Sequence, residues 1–162
     1  MNSTPEKNRR LGGRIFRRAL HGYFLMSRGL TLGVRAIVRS NDGKFLLVRH
    51  TYTPGWHFPG GGVEKGEPAI SALQNELRQE TGLNISGRPI LHGIFHNIVV
   101  SKRDHVLAYI CDVDGTLSNR PESMEIAEIA YFDIDNLPQD TDAGTIRRMH
   151  EIVHGAKTSE AW

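Results

Sequence analysis

The stretch GGGVEKGEPAISALQNELRQETGL, residues 60–83, decides how the rest of the chain is read. It opens with Gly60, Gly61 and Gly62, directly after Pro59. Three glycines in a row tolerate positive φ and let another group approach the backbone closely. A glycine turn alone fits many proteins, and the helix predicted over residues 68–81 says more. Pro68 suits a first helical position, where a missing N–H costs nothing. Gly82 is placed to end the helix in a left-handed cap. Ile70, Leu73 and Leu77 share one face. Glu76 and Glu80 fall about 40–80° from the middle of that face, at about 100° per residue. Carboxylates at i and i+4 repel each other, and neither has a basic residue three or four positions away on this helix. Such a pair beside a buried edge is costly unless a cation joins it. Hard oxygen ligands suit Mg2+ or Mn2+, and a cation there could bridge phosphate oxygens and acidify an attacking water. The residues alone leave a second reading open, a solvated surface helix.

Outward from this segment the pattern is mixed. Residues 32–39 and 44–50 read as strands joined by a hairpin turn at Ser40, Asn41, Asp42 and Gly43. Residues 56–59 suggest a short strand before the glycines. Residues 90–100 and 105–113 read as a further pair joined by a polar turn, and residues 128–134 as a last strand after a polar loop at 115–123. A second helix is expected over residues 142–154, with Thr141 or Asp142 as N-cap. Strands mixed with few helices indicate an α+β sandwich with a mixed sheet.

The chain has 162 residues, enough for one domain and a short extension. Its net charge of +2 is unevenly placed. Residues 1–28 carry seven basic side chains against Glu6 alone, which leaves 13 basic and 17 acidic in the remainder. The basic excess therefore belongs to the extension, and the charge pattern argues against nucleic acid as a partner of the main domain. Within the extension, Leu11, Ile15, Ala19, Tyr23 and Met26 recur at helical spacing. That predicts an amphipathic helix over residues 8–26, suited to packing on the domain, to a homodimer contact, or to weak contact with an anionic membrane surface. No apolar run is long enough to span a membrane. With Cys111 as the one cysteine no internal disulfide can form, and an unprocessed cytoplasmic protein is expected.

The segment from Gly61 to Leu83 resembles the Nudix box. Gly61, Glu67, Glu76, Leu77, Glu80, Gly82 and Leu83 match its fixed positions at the required spacings, and Trp56, His57, Phe58, Pro59 and Gly60 resemble its lead-in. The resemblance implies the Nudix-type α/β/α sandwich over residues 29–162. It implies a metal-dependent hydrolase that cleaves the diphosphate linkage of a nucleoside diphosphate joined to another group. Glu76 and Glu80 would be catalytic and hold the metal, with Gln79 as a further oxygen ligand. Arg49, Trp56, Gly60, Gly61, Gly62 and Glu67 would bind substrate. Arg49 matches a phosphate contact of some relatives, or is an exposed strand-end arginine; Trp56 could stack on a base, although a Trp beside a Pro-Gly turn more often packs. Glu64 and Glu67 could act through water. Glu125 and Glu128 are accessory carboxylates, since a residue from that region acts as base in some relatives. His50 and His57 could titrate near a phosphate, and Tyr52 and Tyr109 could line a pocket.

Two positions depart from the box. Asn75 stands where the family usually has an arginine that orients a glutamate, and Gln79 where it has the first of two adjacent glutamates. Asn75 can hydrogen-bond but carries no charge; Gln79 keeps a carbonyl oxygen and loses a negative charge. The alternative reading is accordingly a nucleotide-binding or regulatory module with weakened catalysis.

Overall fold

Phe45, Leu46, Leu47 and Val48 are all fully buried, so the strand they form is covered on both faces rather than one. This strand, β2 (Phe45–His50), and its predecessor β1 (Thr31–Val38) belong to different sheets. The expected turn between them does form: Gly43 N–H donates to Ser40 O and Ser40 N–H to Lys44 O, both at 2.9 Å. The expected hairpin does not, because pairing stops at the single bridge between Arg39 and Phe45.

The structure is a computed structural model that describes residues 29–117 and 124–162, so the helix expected over residues 8–26 lies outside the described residues. Residues 31–162 form one unit. Its larger sheet is mixed, in the order β1-β5-β4. There β5 (Asp104–Asp114) pairs parallel with β1 and antiparallel with β4 (Asn84–His96). The smaller sheet is antiparallel, with β2 between β3 (Trp56–His57) and β6 (Ile126–Phe132).

β4 starts six residues before the expected strand and stops at His96 instead of residue 100. Gly87 and Pro89 look like breakers in sequence, yet the register shift between Ser86 and Ile90 absorbs them both, as an edge strand permits. Residues 97–100 belong to the turn instead, closed by Val100 N–H to Asn97 O at 3.1 Å and Asn97 N–H to Asp104 O at 2.9 Å.

The first helix, α1 (Ala69–Thr81), ends at Gly82 with φ 77°, as expected, while Pro68 sits just before it as an extended cap residue. Ala72, Leu73 and Leu77 pack with Val34, Ala36, Leu107 and Tyr109 from one face of the larger sheet. Ile70 departs from expectation, being 37% exposed. The second helix, α2 (Ala143–His154), is capped by Asp142, whose carboxylate accepts from Thr145 N–H at 2.8 Å. Its Met149 joins Ile37, Phe45, Phe95 and Ala108 in a second core. The result is an α/β/α sandwich. Tyr109 is a core side chain that also lines a surface pocket, together with Ile70, Arg88, Pro89, Ile90 and Leu91. Cys111 is also buried, which pushes its thiol up to about 12 and leaves it unreactive.

Alternation along β1 and β5 sets up the site. Thr31, Gly33, Arg35 and Ile37 point to one face, together with their register partners Asp104, Val106, Ala108 and Ile110. At the Ile37 end that face is filled by the second core. Towards Thr31 it opens into a cleft of about 310 Å³.

Candidate active site

The glycine turn lies along β1. Val34 N–H donates to Gly61 O at 2.9 Å, Ala36 N–H to Pro59 O at 2.8 Å and Val63 N–H to Leu32 O at 2.8 Å. The turn needs glycine for two reasons. Gly60 has φ 142° and faces the Val34 carbonyl. At Gly61 a Cβ would stand 2.5 Å from the carboxyl carbon of Glu76. Bare backbone therefore meets α1, and the carboxylate of Glu76 lies directly against it.

Glu80 is more deeply held. It is 4% exposed, and its Oε2 accepts from Gly60 N–H at 2.7 Å. Burial pushes its carboxyl up to about 8, against the opposing pull of the Gly60 hydrogen bond and the Arg35 charge. Burial also raises Glu76, with Arg35 again opposing and Glu125 and Glu67 adding to the rise. Arg35 donates to Phe58 O at 3.3 Å and to Gly60 O. It clamps the turn while placing a positive charge beside two carboxylates. His50 Nε2 stands 3.4 Å from Glu80 Oε1. Burial, followed by the charges of Arg35 and His57, lowers the pKa of this imidazole and so favours its neutral form. Its Nδ1 is buried and has no partner among the described residues.

The remaining expected residues divide into those near this centre and those away from it. Glu67 Oε1 accepts from Asn75 Nδ2 at 3.1 Å and Oε2 from Glu64 N–H at 3.2 Å. Asn75 thus anchors the box glutamate through a hydrogen bond without a charge. Glu64 and Gln79 are exposed. Glu125 is within electrostatic reach of both Glu76 and Glu80, and it accepts from Tyr52 Oη at 3.2 Å. Gly60, Gly61 and Gly62 line the cleft, together with Arg35, His50, Tyr52 and His57.

Arg49, Trp56 and Glu128 form a separate group. Arg49 is paired with Glu128, and its guanidinium lies 5.7 Å from the Trp56 ring centroid. Trp56 is 6% exposed, with its ring packed edge-on against Phe132 at 4.7 Å. The ring offers no free face, so stacking on a base does not fit this position. A neutralised Glu128 is likewise poorly suited to serve as an accessory base.

Sequence reasoning missed Arg35. The signal was one charge inside an otherwise apolar strand, flanked by the fully buried Val34 and Ala36. A charged side chain is placed there only if something meets it.

Among the described residues no three or more His, Cys, Asp or Glu side chains are gathered as a metal cluster. The two carboxylates nonetheless fit a hard divalent cation. Both are held towards the neutral form by burial, which a cation would reverse. Mg2+ commonly takes only one or two carboxylates, keeping waters and substrate phosphates as its other ligands. Gly61→Ala tests this packing. The fold should survive, because the Glu76 carboxylate can swing away from the new methyl. Mn2+ affinity, measured by calorimetry, should fall about ten-fold or more, as when a ligand loses its support.

The family model for the NUDIX domain matches residues 29–151, and this chain belongs to that family. It is 30% identical over 131 residues to an m7GpppN-mRNA hydrolase of Danio rerio, covering 68% of this chain and 44% of that protein. It is 30% identical over 101 residues to an ADP-ribose pyrophosphatase of Methanocaldococcus jannaschii, covering 60% and 59%. It thus spans only about two fifths to three fifths of the length of these relatives. A MutT NUDIX hydrolase from Burkholderia pseudomallei superposes with a TM-score of 0.64 at 25% identity, covering 76% of this chain and 97% of that one. A NUDIX hydrolase from Nitrosomonas europaea superposes at 0.66 with 24% identity, covering 79% and 90%. Among the described residues no helix is long and apolar enough to cross a membrane.

Proposed function

We propose that this protein is a pyrophosphohydrolase that cleaves the diphosphate linkage of a nucleoside diphosphate joined to another group, using Mg2+ or Mn2+ held by Glu76 and Glu80. The observation that carries the reading is the pair of burial-strained carboxylates on one helix, pressed against a glycine turn at the floor of an open cleft. The ADP-ribose pyrophosphatase named above acts on a pyrophosphate by its name, which supports the same bond here. The metal supplies Lewis-acid stabilisation and a more acidic water. The chain does the rest. Gly60 N–H fixes one oxygen of Glu80. Arg35 supplies positive charge at the turn, where phosphate oxygens would carry negative charge. The glycines allow a diphosphate to approach the backbone. Glu125, near both carboxylates, is a candidate to take the proton of the attacking water.

The Asn75–Glu67 hydrogen bond favours catalysis over a purely binding role, since the anchoring contact is kept without the arginine. Gln79 has the clearer consequence. Gln79→Glu should restore a charge beside the pair and tighten Mn2+ binding by about three- to ten-fold. Turnover at low metal should rise correspondingly. A screen of ADP-ribose, nucleotide sugars, capped RNA and 5′-triphosphorylated RNA with Mg2+ or Mn2+, with the products identified, tests the reaction. Absence of metal-dependent phosphate or nucleotide products across the screen would refute it.

A further inference from the structure

The hydrolytic reading uses only one end of the cleft. Arg35 and the glycine turn close that end. Thr31 and Asp104, paired in register, lie four residues back along β1, about 13 Å away at about 3.3 Å per residue. That matches the reach from a nucleotide's α-phosphate to the far edge of its base. The far end differs in chemistry from the near one. Thr31 Oγ1 donates to Asp104 Oδ1 at 2.6 Å, and Asn97 Nδ2 donates to Asp104 Oδ2 at 2.8 Å. Each carboxylate oxygen keeps a further lone pair, and the amide oxygen of Asn97 is another acceptor. Thr31, Asn97 and Asp104 all line the cleft, as do the apolar side chains of Val100 and Val106. Val100 is 72% exposed, so it offers an apolar surface that no other part of the described chain covers.

A fixed carboxylate repels phosphate, so the diphosphate belongs at the Arg35 end. Apolar borders suit a flat ring, and a carboxylate with a lone pair open on each oxygen suits a ring edge made of adjacent donors. Resting on the nucleotide reading above, we propose that Asp104 determines specificity by reading the base, and that it selects guanine. Guanine sets a ring N1–H beside its 2-amino group, two adjacent donors that a carboxylate accepts side by side. Adenine and cytosine place a ring acceptor next to their amino group. Uracil has one N–H between two carbonyl oxygens. Hypoxanthine keeps the N1–H and lacks the amino group.

The test compares kcat/KM for guanosine, inosine and adenosine diphosphate sugars with the intact chain. Guanine should exceed hypoxanthine by about ten-fold and adenine by up to about 100-fold, the range of a bidentate contact, with the difference carried by KM. Asp104→Asn exchanges one acceptor for a donor and should bring the guanine-to-hypoxanthine ratio close to one. If Asp104 only braces the turn, the variant will slow all three substrates alike, and the proposal fails. It also fails if the wild-type protein hydrolyses the three equally, an outcome that leaves the hydrolytic reading intact. If none of the three turns over, the hydrolytic reading is decided by the wider screen above. Calorimetric binding of GMP, IMP and AMP then decides the base assignment by the same order of affinities.

Discussion

Glu80→Gln is expected to lower kcat by about 10³-fold, equivalent to about 4 kcal/mol of lost transition-state stabilisation, while making the metal-free protein more stable. Both effects have the same cause. Burial raises the Glu80 carboxyl from its ordinary 4.5 to about 8. Between those values the folded chain holds a proton that the unfolded chain releases, so unfolding free energy falls as pH rises through that window. The stabilising contribution of the neutral acid is complete below about pH 4.5 and lost by about pH 8. Glutamine is neutral throughout, and its amide oxygen can still accept from Gly60 N–H. The variant should therefore match the wild type near pH 5 and exceed it by about 2–4 kcal/mol at pH 8 without metal, on the order of 10 °C in Tm. Saturating Mg2+ should close that gap by stabilising only the wild type. Thermal melts at the two pH values, with and without metal, decide the matter. A variant that is less stable at pH 8 in the absence of metal would refute the assigned strain.

The second large effect lies on the far side of the fold and concerns stability alone. Arg148 is fully buried. Its Nε and Nη2 donate to the two oxygens of Glu151 at 2.8 and 2.6 Å, and Nη1 donates to Ala161 O at 3.1 Å. Its guanidinium lies 3.8 Å from the Phe95 ring centroid. Glu151 is also bonded to His92 Nε2 at 2.8 Å and to Ser159 N–H at 3.0 Å. These bonds, that of Arg148 foremost, hold its carboxyl below the usual range against the effect of burial. Arg148→Met removes the main counter-charge and leaves a carboxylate buried. The expected cost is about 3–5 kcal/mol, read by chemical denaturation at pH 7. Lowering the pH should shrink the difference as Glu151 is protonated, because a depressed carboxyl contributes only above its folded pKa. Replacing both residues with apolar ones should recover much of the loss. A single variant within about 1 kcal/mol of wild type would mean that the pair is not the anchor described here.

These two predictions show what the sequence disclosed and what it hid. Glu76, Glu80 and the glycines were legible because helical spacing and turn chemistry act over a few residues. Gly82 and Asp142 were legible as caps for the same reason. Pairing between strands was not. The turn at residues 40–43 is locally a hairpin signal, and its strands part because β1 pairs with β5 while β2 pairs with β3 and β6. Trp56 next to a Pro-Gly turn admits both a packing and a base-stacking reading until its row in the smaller sheet puts it against Phe132. Arg35, Asp104 and the Arg148–Glu151 pair depend on contacts between residues far apart in sequence. No periodicity encodes those contacts.

The central claim is that Glu76 and Glu80 together hold a divalent cation. Titration of Mn2+ followed by electron paramagnetic resonance, with a non-hydrolysable nucleotide diphosphate analogue present, tests it most directly. Saturable Mn2+ binding by the wild type, weakened at least about 100-fold in Glu80→Gln, is the predicted result. Equal Mn2+ uptake by the two proteins would contradict it.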